Sequence, residues 1–403
     1  MGLRQGLEWP LSLDVSALRA TGWIPYPFRE FIVKVHSRCD LACDYCYMYE
    51  AADQSWRDQP RVMSAEAVEL TAHRIGEHAR AHALSRITLI MHGGEPLLAG
   101  RDRIRQLVTA TRLATGPETV VDAAVQTNAV GLSAAYLDLF DELGVQVGIS
   151  IDGDSQAHDR HRRFPSGRGS YPAVAAGIER LRKFPYLYSG LLATIDLRND
   201  PVRTYEALAG FEPPRIDFLL PHGTWTQPPP GRVPGADETP YADWLIAVFD
   251  HWYPRPQTHV RLFEEIMQLL LGGMASSEVV GLTPAQMVVI ETDGSIAQED
   301  TLRIAFDGAP ATGLHVARDS LDAALALPEV AARQMGERGL AAECRACSIR
   351  HVCGGGLYSH RYRQGTGFAN PSVYCPDLIA LIGHIRNRVS TDIRQRLLGK
   401  EAG

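Results

Sequence analysis

The stretch Cys39-Asp40-Leu41-Ala42-Cys43-Asp44-Tyr45-Cys46 places three thiols within eight residues, and the next cysteine follows about 300 residues later. A closed structural zinc or iron–sulfur site normally uses four protein ligands. Three local ligands without a fourth nearby therefore predict a metal cluster with one corner left open for chemistry. Three buried cysteines, or a zinc site completed by a distant ligand, are the alternative interpretations.

All seven cysteines fall into two groups, three at 39–46 and four at 344–375. An odd number cannot pair completely in intrachain disulfides. In a large cytoplasmic chain, such grouping favours metal ligation over disulfide formation.

The composition is that of an ordinary globular protein. The 403 residues are 45% apolar and 22% charged, with a formal net charge of −7, which gives no bulk attraction for nucleic acid. No apolar run of about 18 residues predicts a membrane span, and the N-terminus lacks the apolar core of a secretion signal. We expect a cytoplasmic protein with neither nucleic acid nor membrane as a partner.

Strand and helix patterns alternate, with short connections, between residues 30 and 220. Strands are predicted at 30–35, 86–91, 120–125, 145–151, 188–195 and 216–220. Helical spacing lies between most of them, first at 64–84. Polar or glycine motifs follow several strands, which predicts a parallel α/β fold with its site at the carboxyl ends of the strands. The chain lacks a GxGxxG or P-loop signature, which argues against a nicotinamide or nucleoside-triphosphate enzyme.

Four regions are expected: an arm at 1–28, a barrel domain at 29–220, a linker and helical connection at 221–275, and a cysteine-rich domain at 276–403. The proline-rich stretch 221–240 reads as a linker or a substrate-facing loop. Asp293-Gly294 predicts a hairpin between 287–290 and 295–297. A final helix is predicted from 377 to about 398.

The cysteine spacing, the aromatic Tyr45 and the strand just upstream together resemble the radical S-adenosylmethionine (radical SAM) superfamily. The resemblance implies that Cys39, Cys43 and Cys46 hold a 4Fe–4S cluster whose fourth iron is chelated by S-adenosylmethionine. It implies a partial (β/α)6 TIM-like barrel, a 5′-deoxyadenosyl radical that abstracts hydrogen from the substrate, and an external electron donor such as flavodoxin or ferredoxin.

Gly93-Gly94-Glu95-Pro96 resembles the second-strand motif of that superfamily. The resemblance implies that backbone groups and the Glu95 carboxylate meet the methionine ammonium of the cofactor. Glycines allow close backbone approach, and a carboxylate has the right sign for a cation. An ordinary turn is the alternative.

Ser150-Ile151-Asp152-Gly153, followed by Arg162, resembles the fourth-strand signature of peptide-modifying members. It implies that Ser150 contacts the ribose and Arg162 the carboxylate, for which a guanidinium is suited, with Asp152 in the same cofactor site. Thr127 and Asn128, at the end of the third strand, are further candidate lining residues. The alternative is a strand-end turn beside a solvated charge cluster.

The late cysteines resemble the SPASM extension of radical enzymes that modify peptides, which usually binds two auxiliary clusters. Leu357 and Glu299 stand where further cysteines would be expected. The resemblance therefore implies one auxiliary 4Fe–4S cluster, for a total of two, ligated by Cys344, Cys347, Cys353 and Cys375. A zinc site made from the same four thiols is the alternative.

Asp300 matches the position of a general base in similar SPASM enzymes, which implies a catalytic role here. Oxidising a substrate radical requires the removal of one electron and one proton. A cluster can accept the electron and a carboxylate the proton. A solvated aspartate in a hairpin is the alternative.

Longer strings, among them 217–222, 239–245, 291–296, 353–363 and 370–375, resemble maturases of short ribosomal peptides with a Phe-x-Ser-x-x C-terminus. The resemblance implies a precursor-peptide substrate and a carbon–carbon crosslink, a cyclophane, between an aromatic ring and the β-carbon of a nearby residue. Trp225, Tyr241 and Trp244 are candidates either for a peptide groove or for the core.

Other reactions stay open at this stage. They are the oxidation of a serine or cysteine to formylglycine, as in sulfatase maturation, the epimerisation of a peptide residue, and thioether formation. A zinc-stapled protein that binds peptides without chemistry is the alternative outside enzymes.

Overall fold

The computed structural model describes residues 8–233 and 235–401, with the side chains described up to residue 395. In these residues ten strands form one sheet. The strands are β1 (Glu30–His36), β2 (Arg86–Gly93), β3 (Val120–Thr127), β4 (Val145–Ser150), β5 (Tyr188–Thr194), β6 (Arg215–Leu219), β7 (His259–Val260), β8 (Met287–Ile290), β9 (Ser295–Ala297) and β10 (Ala311–His315).

Helices connect these strands and cover the sheet. They are α1 (Val15–Ala20), α2 (Ala65–Ala81), α3 (Arg101–Thr115), α4 (Ala134–Leu143), α5 (Ser155–His161), α6 (Tyr171–Leu181), α7 (Pro201–Ala209), α8 (Pro240–Trp252), α9 (Arg261–Leu270), α10 (Leu321–Ala324), α11 (Pro328–Arg333), α12 (Ala342–Ala346), α13 (Arg350–Cys353) and α14 (Cys375–Glu401). Short 3₁₀ helices lie at Ser55–Arg57, Pro96–Ala99, Asp300–Ile304, Gly336–Gly339 and Tyr358–Arg361.

The sheet has the order β10-β9-β8-β1-β2-β3-β4-β5-β6-β7. Strands β1 to β7 pair in parallel, each with its neighbour in the chain. Strand β8 pairs in parallel with β1 and in antiparallel with β9, so the predicted hairpin is confirmed and continues the barrel sheet. The predicted fold class, a parallel α/β barrel with a C-terminal cysteine-rich region, is confirmed.

Apolar side chains on both sides of the parallel strands build one continuous core. On β1, Phe31, Val33 and Val35 are fully buried, and on β2 Leu89 and Met91 are. Parallel sheets of this kind are covered by the helices of the crossover connections. The carboxyl ends of β1 to β6 therefore meet at one end of the barrel, and the polar motifs that follow them converge there.

The N-terminal arm is structured where it is described, although its sequence shows little periodicity. Leu13, Leu18 and Trp23 are buried in a small cluster with Ala332 and Met335 of the cysteine-rich region. Residues 1–7 of the predicted arm lie outside the described residues.

The described part of the proline-rich stretch, residues 221–233 and 235–240, is folded onto the cysteine-rich region. The backbone N–H of Trp225 donates to the Tyr362 carbonyl at 3.0 Å, and its indole Nε1 donates to the Pro371 carbonyl at 2.7 Å. Tyr241 and Trp244 are buried in the main core. The two residues therefore have a core role and do not line a groove.

None of the helices in the described part of the chain combines the length and the apolar character that crossing a bilayer requires.

Alanine substitutions at two helical glycines, Gly76 on α2 and Gly383 on α14, are expected to change the free energy of unfolding in opposite directions. A β-carbon at Gly76 would lie 2.4 Å from the carbonyl oxygen of Ala114 on α3, whereas one at Gly383 on α14 would meet nothing within 4 Å. We expect Gly76→Ala to lower the free energy of unfolding by about 1–3 kcal/mol through overpacking. We expect Gly383→Ala to raise it by about 0.5–1 kcal/mol. Denaturant titration of both variants measures the two shifts, and stabilisation by Gly76→Ala would contradict the close α2–α3 packing.

Candidate active site

A cavity of about 460 Å³ lies at the carboxyl ends of the barrel strands, within the size range typical of small-ligand sites. Its wall contains the three early cysteines and most of the motifs that follow β2, β3 and β4. The lining includes Cys39, Cys43, Tyr45, Cys46, Tyr47, His92, Gly93, Gly94, Glu95, Gln126, Thr127, Asn128, Ser150, Arg162 and His222. Of the candidate cofactor residues, all except Asp152 line this cavity.

The loop that carries the three thiols follows β1, and hydrogen bonds donated by its backbone N–H groups hold it in place. The N–H of Ala42 donates to the Arg163 carbonyl at 2.7 Å, and the N–H of Leu41 donates to the Cys39 sulfur at 3.4 Å. All three cysteines are free of disulfides. Burial raises the pKa of the Cys43 thiol to about 11 and also raises that of Cys46. Ligation to a metal would favour the thiolate form of these sulfurs, because metal ligands are deprotonated.

The spacing of the sulfurs fits a cluster better than a single zinc ion. Tetrahedral zinc, with zinc–sulfur bonds of about 2.3 Å, draws its sulfurs to within about 4 Å of one another. Among the described residues, neither cysteine group brings three sulfurs within 4.8 Å of one another. Both groups instead line cavities, as a multi-iron group requires.

Glu95 joins the end of β2 to the end of β3. Its carboxylate accepts hydrogen bonds from the Thr127 hydroxyl at 2.7 Å, the Asn128 N–H at 2.8 Å and the Leu97 N–H at 3.0 Å. It is 1% exposed, and burial raises its pKa to about 7 despite these donors. An ammonium group in the cavity would favour the ionised form, so the carboxylate fits the methionine amine of S-adenosylmethionine.

The two glycines before Glu95 are needed for packing against the segment after β1. A β-carbon at Gly93, whose φ is +143°, would lie 2.1 Å from the His36 carbonyl oxygen, and one at Gly94 would lie 2.4 Å from the Arg38 carbonyl carbon. The sequence predicts that the backbone at these glycines approaches another group closely. In the structure, part of that close contact is with the segment that leads into the cysteine loop.

Asp152 lies behind the cavity wall and positions two residues that reach the cavity. Its buried carboxylate accepts hydrogen bonds from the Tyr45 hydroxyl, from Arg162 Nε at 2.9 Å and from the Thr194 N–H at 3.0 Å. Burial alone would raise its pKa, but Arg162 and the hydrogen bonds outweigh burial and lower it. Asp152 therefore stays ionised and fixes the Arg162 guanidinium, which lies 5.5 Å from the centre of the Tyr45 ring.

Ser150 lies at the end of β4 and lines the cavity. Its hydroxyl accepts a hydrogen bond from Gln126 Nε2 at 2.9 Å. Its hydroxyl hydrogen is thereby left for a polar ligand such as a ribose.

Asp300 is buried, contrary to the solvated alternative. It forms ion pairs with Lys34 of β1 and with Arg303, whose Nε lies 3.4 Å away. Burial would raise the pKa of Asp300, but these cations lower it to about 2. Asp300 is not among the residues that line the cavity.

His92 lies between Asp300 and the cavity. Its Nδ1 is buried without a hydrogen bond, 3.8 Å from Asp300 Oδ2, which is also without one. The exposed part of the ring belongs to the cavity wall. Burial lowers the pKa of His92, although Asp300 opposes that effect. The neutral imidazole is thus favoured, with a carboxylate behind it.

The four late cysteines meet around a separate cavity of about 170 Å³. Cys344 lies in α12, Cys353 ends α13 and Cys375 begins α14. The glycines at 354–356 turn sharply after Cys353, all with positive φ, and Arg361 Nη2 donates to the carbonyls of Gly354 and Gly356 at 2.7 and 2.6 Å. The fold therefore brings the four cysteines between positions 344 and 375 together into one thiol site.

The positions where two further cysteines were expected have other roles. Glu299 forms an ion pair with Arg333, which also pairs with Glu278 at 2.8 Å. Leu357 lines an apolar cavity beside His222 and His360. A buried ion pair and an apolar side chain thus take these positions, in agreement with a single auxiliary cluster.

Four residues in or beside the cavity wall were not predicted from the sequence, namely Lys34, Tyr47, His92 and His222. Two local signals were available. Lys34 is the charged residue inside an otherwise apolar strand segment, and His92 directly precedes Gly93. Tyr47 and His222, whose rings are 4.9 Å apart, gave no such signal.

Comparison with known proteins agrees with this geometry. The Radical SAM superfamily model matches residues 33–193. An uncharacterized protein of Synechocystis is 34% identical over 161 residues, which are 39% of this chain and 38% of that protein. The serine-type anaerobic sulfatase-maturating enzyme of Bacteroides thetaiotaomicron is 24% identical over 58% of this chain and 60% of its own. That of Klebsiella aerogenes is 23% identical over 88% and 87%.

Solved structures share the fold over most of the chain. Native anSMEcpe with bound AdoMet has a TM-score of 0.76 at 19% identity, covering 90% of this chain and 98% of its own. Streptococcus suis SuiB has a TM-score of 0.59 at 15% identity, covering 89% and 79%. The Radical SAM superfamily model thus matches the segment that carries the three-cysteine motif. This match agrees with the enzyme class predicted from that motif and with S-adenosylmethionine and 4Fe–4S clusters as the cofactors.

Proposed function

We propose that this enzyme modifies a ribosomally made precursor peptide by forming a carbon–carbon crosslink between an aromatic ring and the β-carbon of a nearby residue. The observation that carries the proposal is that one cavity is lined both by the three-cysteine site and by His92, with the ionised Asp300 behind it. Radical generation and proton removal thus share one space.

The relatives support a peptide substrate. Among them are serine-type and cysteine-type sulfatase-maturating enzymes. One structure shows anSMEcpe with AdoMet and the Kp18Cys peptide, and another shows SuiB bound to the precursor peptide SuiA. By analogy, a peptide enters the cavity here, and an external flavodoxin or ferredoxin supplies the electron that starts the reaction.

Within this proposal, three side chains bind the cofactor directly. Glu95 receives the methionine ammonium, Arg162 the carboxylate and Ser150 the ribose. Thr127 and Asn128 act by holding the Glu95 carboxylate in place.

The crosslinking reaction has a fixed stoichiometry. Loss of a hydrogen atom from the β-carbon leaves a carbon radical, which adds to the aromatic ring. The ring must then lose one electron and one proton to become aromatic again. When bound, S-adenosylmethionine and the cluster at Cys39, Cys43 and Cys46 supply the hydrogen-abstracting radical, and the auxiliary cluster accepts the electron. The peptide loses two hydrogens in total.

The proton passes to His92 in this scheme, and Asp300 acts through it. His92 faces the cavity as a neutral imidazole, which is the form that accepts a proton. Asp300, held ionised by Lys34 and Arg303, stabilises the imidazolium that results. Asp300 is thus a positioning and electrostatic partner, and His92 is the group that meets the substrate.

Formylglycine formation is the second candidate function, because several curated relatives are sulfatase-maturating enzymes. The same parts would serve it, since oxidation of a serine side chain also removes two hydrogens. The missing second set of auxiliary cysteines favours crosslinking over this alternative.

The iron content tests the two cysteine groups. Anaerobically purified enzyme should contain about eight irons per chain, and about four when either group is replaced by serine. Replacing Cys39, Cys43 and Cys46 should abolish 5′-deoxyadenosine formation. Replacing the four late cysteines should leave it measurable but stop crosslinking. An iron content near zero in anaerobically reconstituted wild-type enzyme would contradict the assignment of both sites.

His92→Gln tests the proton path. We expect crosslinking to fall by about 10²-fold or more, whereas 5′-deoxyadenosine continues to form, so the ratio of 5′-deoxyadenosine to crosslinked peptide rises. In the wild type, crosslinking should decline as the pH falls through the pKa of His92, which lies below 6.5 because of burial. His92→Gln should lack this decline.

His222→Gln is the matched control, because His222 also lines the cavity and also has a buried Nδ1 without a hydrogen bond. Whatever its effect on rate, it should keep the wild-type product ratio. An unchanged ratio in His92→Gln would refute the proposed role of His92.

The substrate class is tested with two peptides, one encoded beside this gene and one carrying a sulfatase-type serine or cysteine. Both crosslinking and serine oxidation remove two hydrogens, so mass alone does not distinguish them. A crosslink should give fragment ions that stay joined between two side chains, and no reaction with a hydrazide. A hydrazide-reactive aldehyde would instead establish formylglycine formation, and deuterium uptake without a mass loss in ordinary water would establish epimerisation.

A further inference from the structure

A cluster of two histidines and one aspartate lies outside both cysteine sites. His78 lies in the last turn of α2, His82 caps the C-terminal end of that helix, and Asp322 lies on α10. The Asp322 Oδ1 atom is 2.5 Å from His78 Nδ1 and 2.9 Å from His82 Nε2. In the described part of the chain, these three side chains place their potential metal-ligand atoms within 4.8 Å of one another. The proposed peptide chemistry uses none of them.

The second nitrogen of His78 fixes the orientation of its ring. His78 Nε2 lies 3.2 Å from the backbone carbonyl oxygen of Phe28. A carbonyl only accepts hydrogen bonds, so Nε2 donates to it. Nδ1 lies 2.5 Å from a carboxylate oxygen of Asp322, and these two atoms would repel each other unless a hydrogen or a metal ion lies between them.

The surroundings of His78 resemble the support given to a metal ligand. Histidines that bind metals usually donate their other ring N–H to a carbonyl or carboxylate, which fixes the tautomer. The His78 side chain is 1% exposed and packs against the rings of Phe28 and Phe31, with centroids 5.7 and 5.9 Å away. His82 and Asp322 are 28% and 41% exposed, so an ion can enter from solvent.

We propose that His78, His82 and Asp322 bind a divalent transition-metal ion, for which zinc is the best match. Two imidazoles and one carboxylate are a common zinc ligand set, and water completes the tetrahedron. Zinc, copper and nickel bind imidazole nitrogen well, whereas calcium and magnesium prefer oxygen ligands.

A metal ion bound here would link two parts of the chain, α2 and α10. Helix α2 belongs to the barrel, whereas α10 follows β10 within the cysteine-rich region. A hydrogen bond from Arg74 Nε of α2 to the Val316 carbonyl, at 2.9 Å, already joins the same two segments. Metal binding to the folded chain would add to the stability of this junction.

Zinc content after incubation of the holoenzyme with zinc sulfate and desalting tests the proposal. We expect about one zinc per chain in the wild type, with unchanged iron, and a raised thermal midpoint in the presence of zinc. His82→Asn and Asp322→Asn should each lose both effects. His73→Asn, an exposed histidine on the same helix, should keep both.

Two results would overturn the proposal. One is the absence of bound zinc in wild-type enzyme at micromolar free zinc, which would leave a hydrogen-bonded histidine–aspartate cluster. The other is equal zinc binding in the wild type, His82→Asn and Asp322→Asn. Because zinc content and thermal midpoint do not depend on peptide modification, failure here is distinguishable from failure of the proposed function.

Discussion

A buried ammonium on β1 is the constraint on which the assembly of the active site depends. Lys34 is 1% exposed and forms ion pairs with Asp300 and Glu291. Its Nζ atom lies 3.0 Å from Glu291 Oε1. Arg303 pairs with the same two carboxylates and with Asp53. Buried charges are tolerated only when they are paired. Strand β1, which leads into the cysteine loop, is therefore stable only when a segment more than 250 residues later closes onto it.

Backbone pairing reinforces the same closure. Strand β8 extends the barrel sheet beside β1, and the β8–β9 hairpin places Asp300 just beyond the ends of these strands. The opposite neighbour of β1 is β2, whose end is tied to β3 by Glu95. On one side of β1, the buried charge network fixes the cavity wall. On the other side, the hydrogen bonds of Glu95 between the ends of β2 and β3 do so.

Local patterns were enough to predict β1 to β6 and both cysteine groups, because strand composition and ligand spacing are written in neighbouring residues. Helix α7 was missed although Asp200 caps it and Pro201 starts it, a local signal that was present. The partners of Lys34, the burial of Asp300 and the position of Asp152 behind Arg162 could not be predicted in the same way. Each depends on which distant segment packs nearby, and sequence periodicity does not contain that information.

The charge balance of the network bears on the proposed proton path. Lys34 and Arg303 supply two positive charges against three carboxylates, Asp53, Glu291 and Asp300, so the buried group carries a net charge of −1. In a low-dielectric interior such an excess attracts a cation strongly. A proton that arrives on His92, 3.8 Å from Asp300, brings the group to neutrality. Asp300 can therefore keep a low pKa and still promote proton removal, because its charge acts on the neighbouring imidazole.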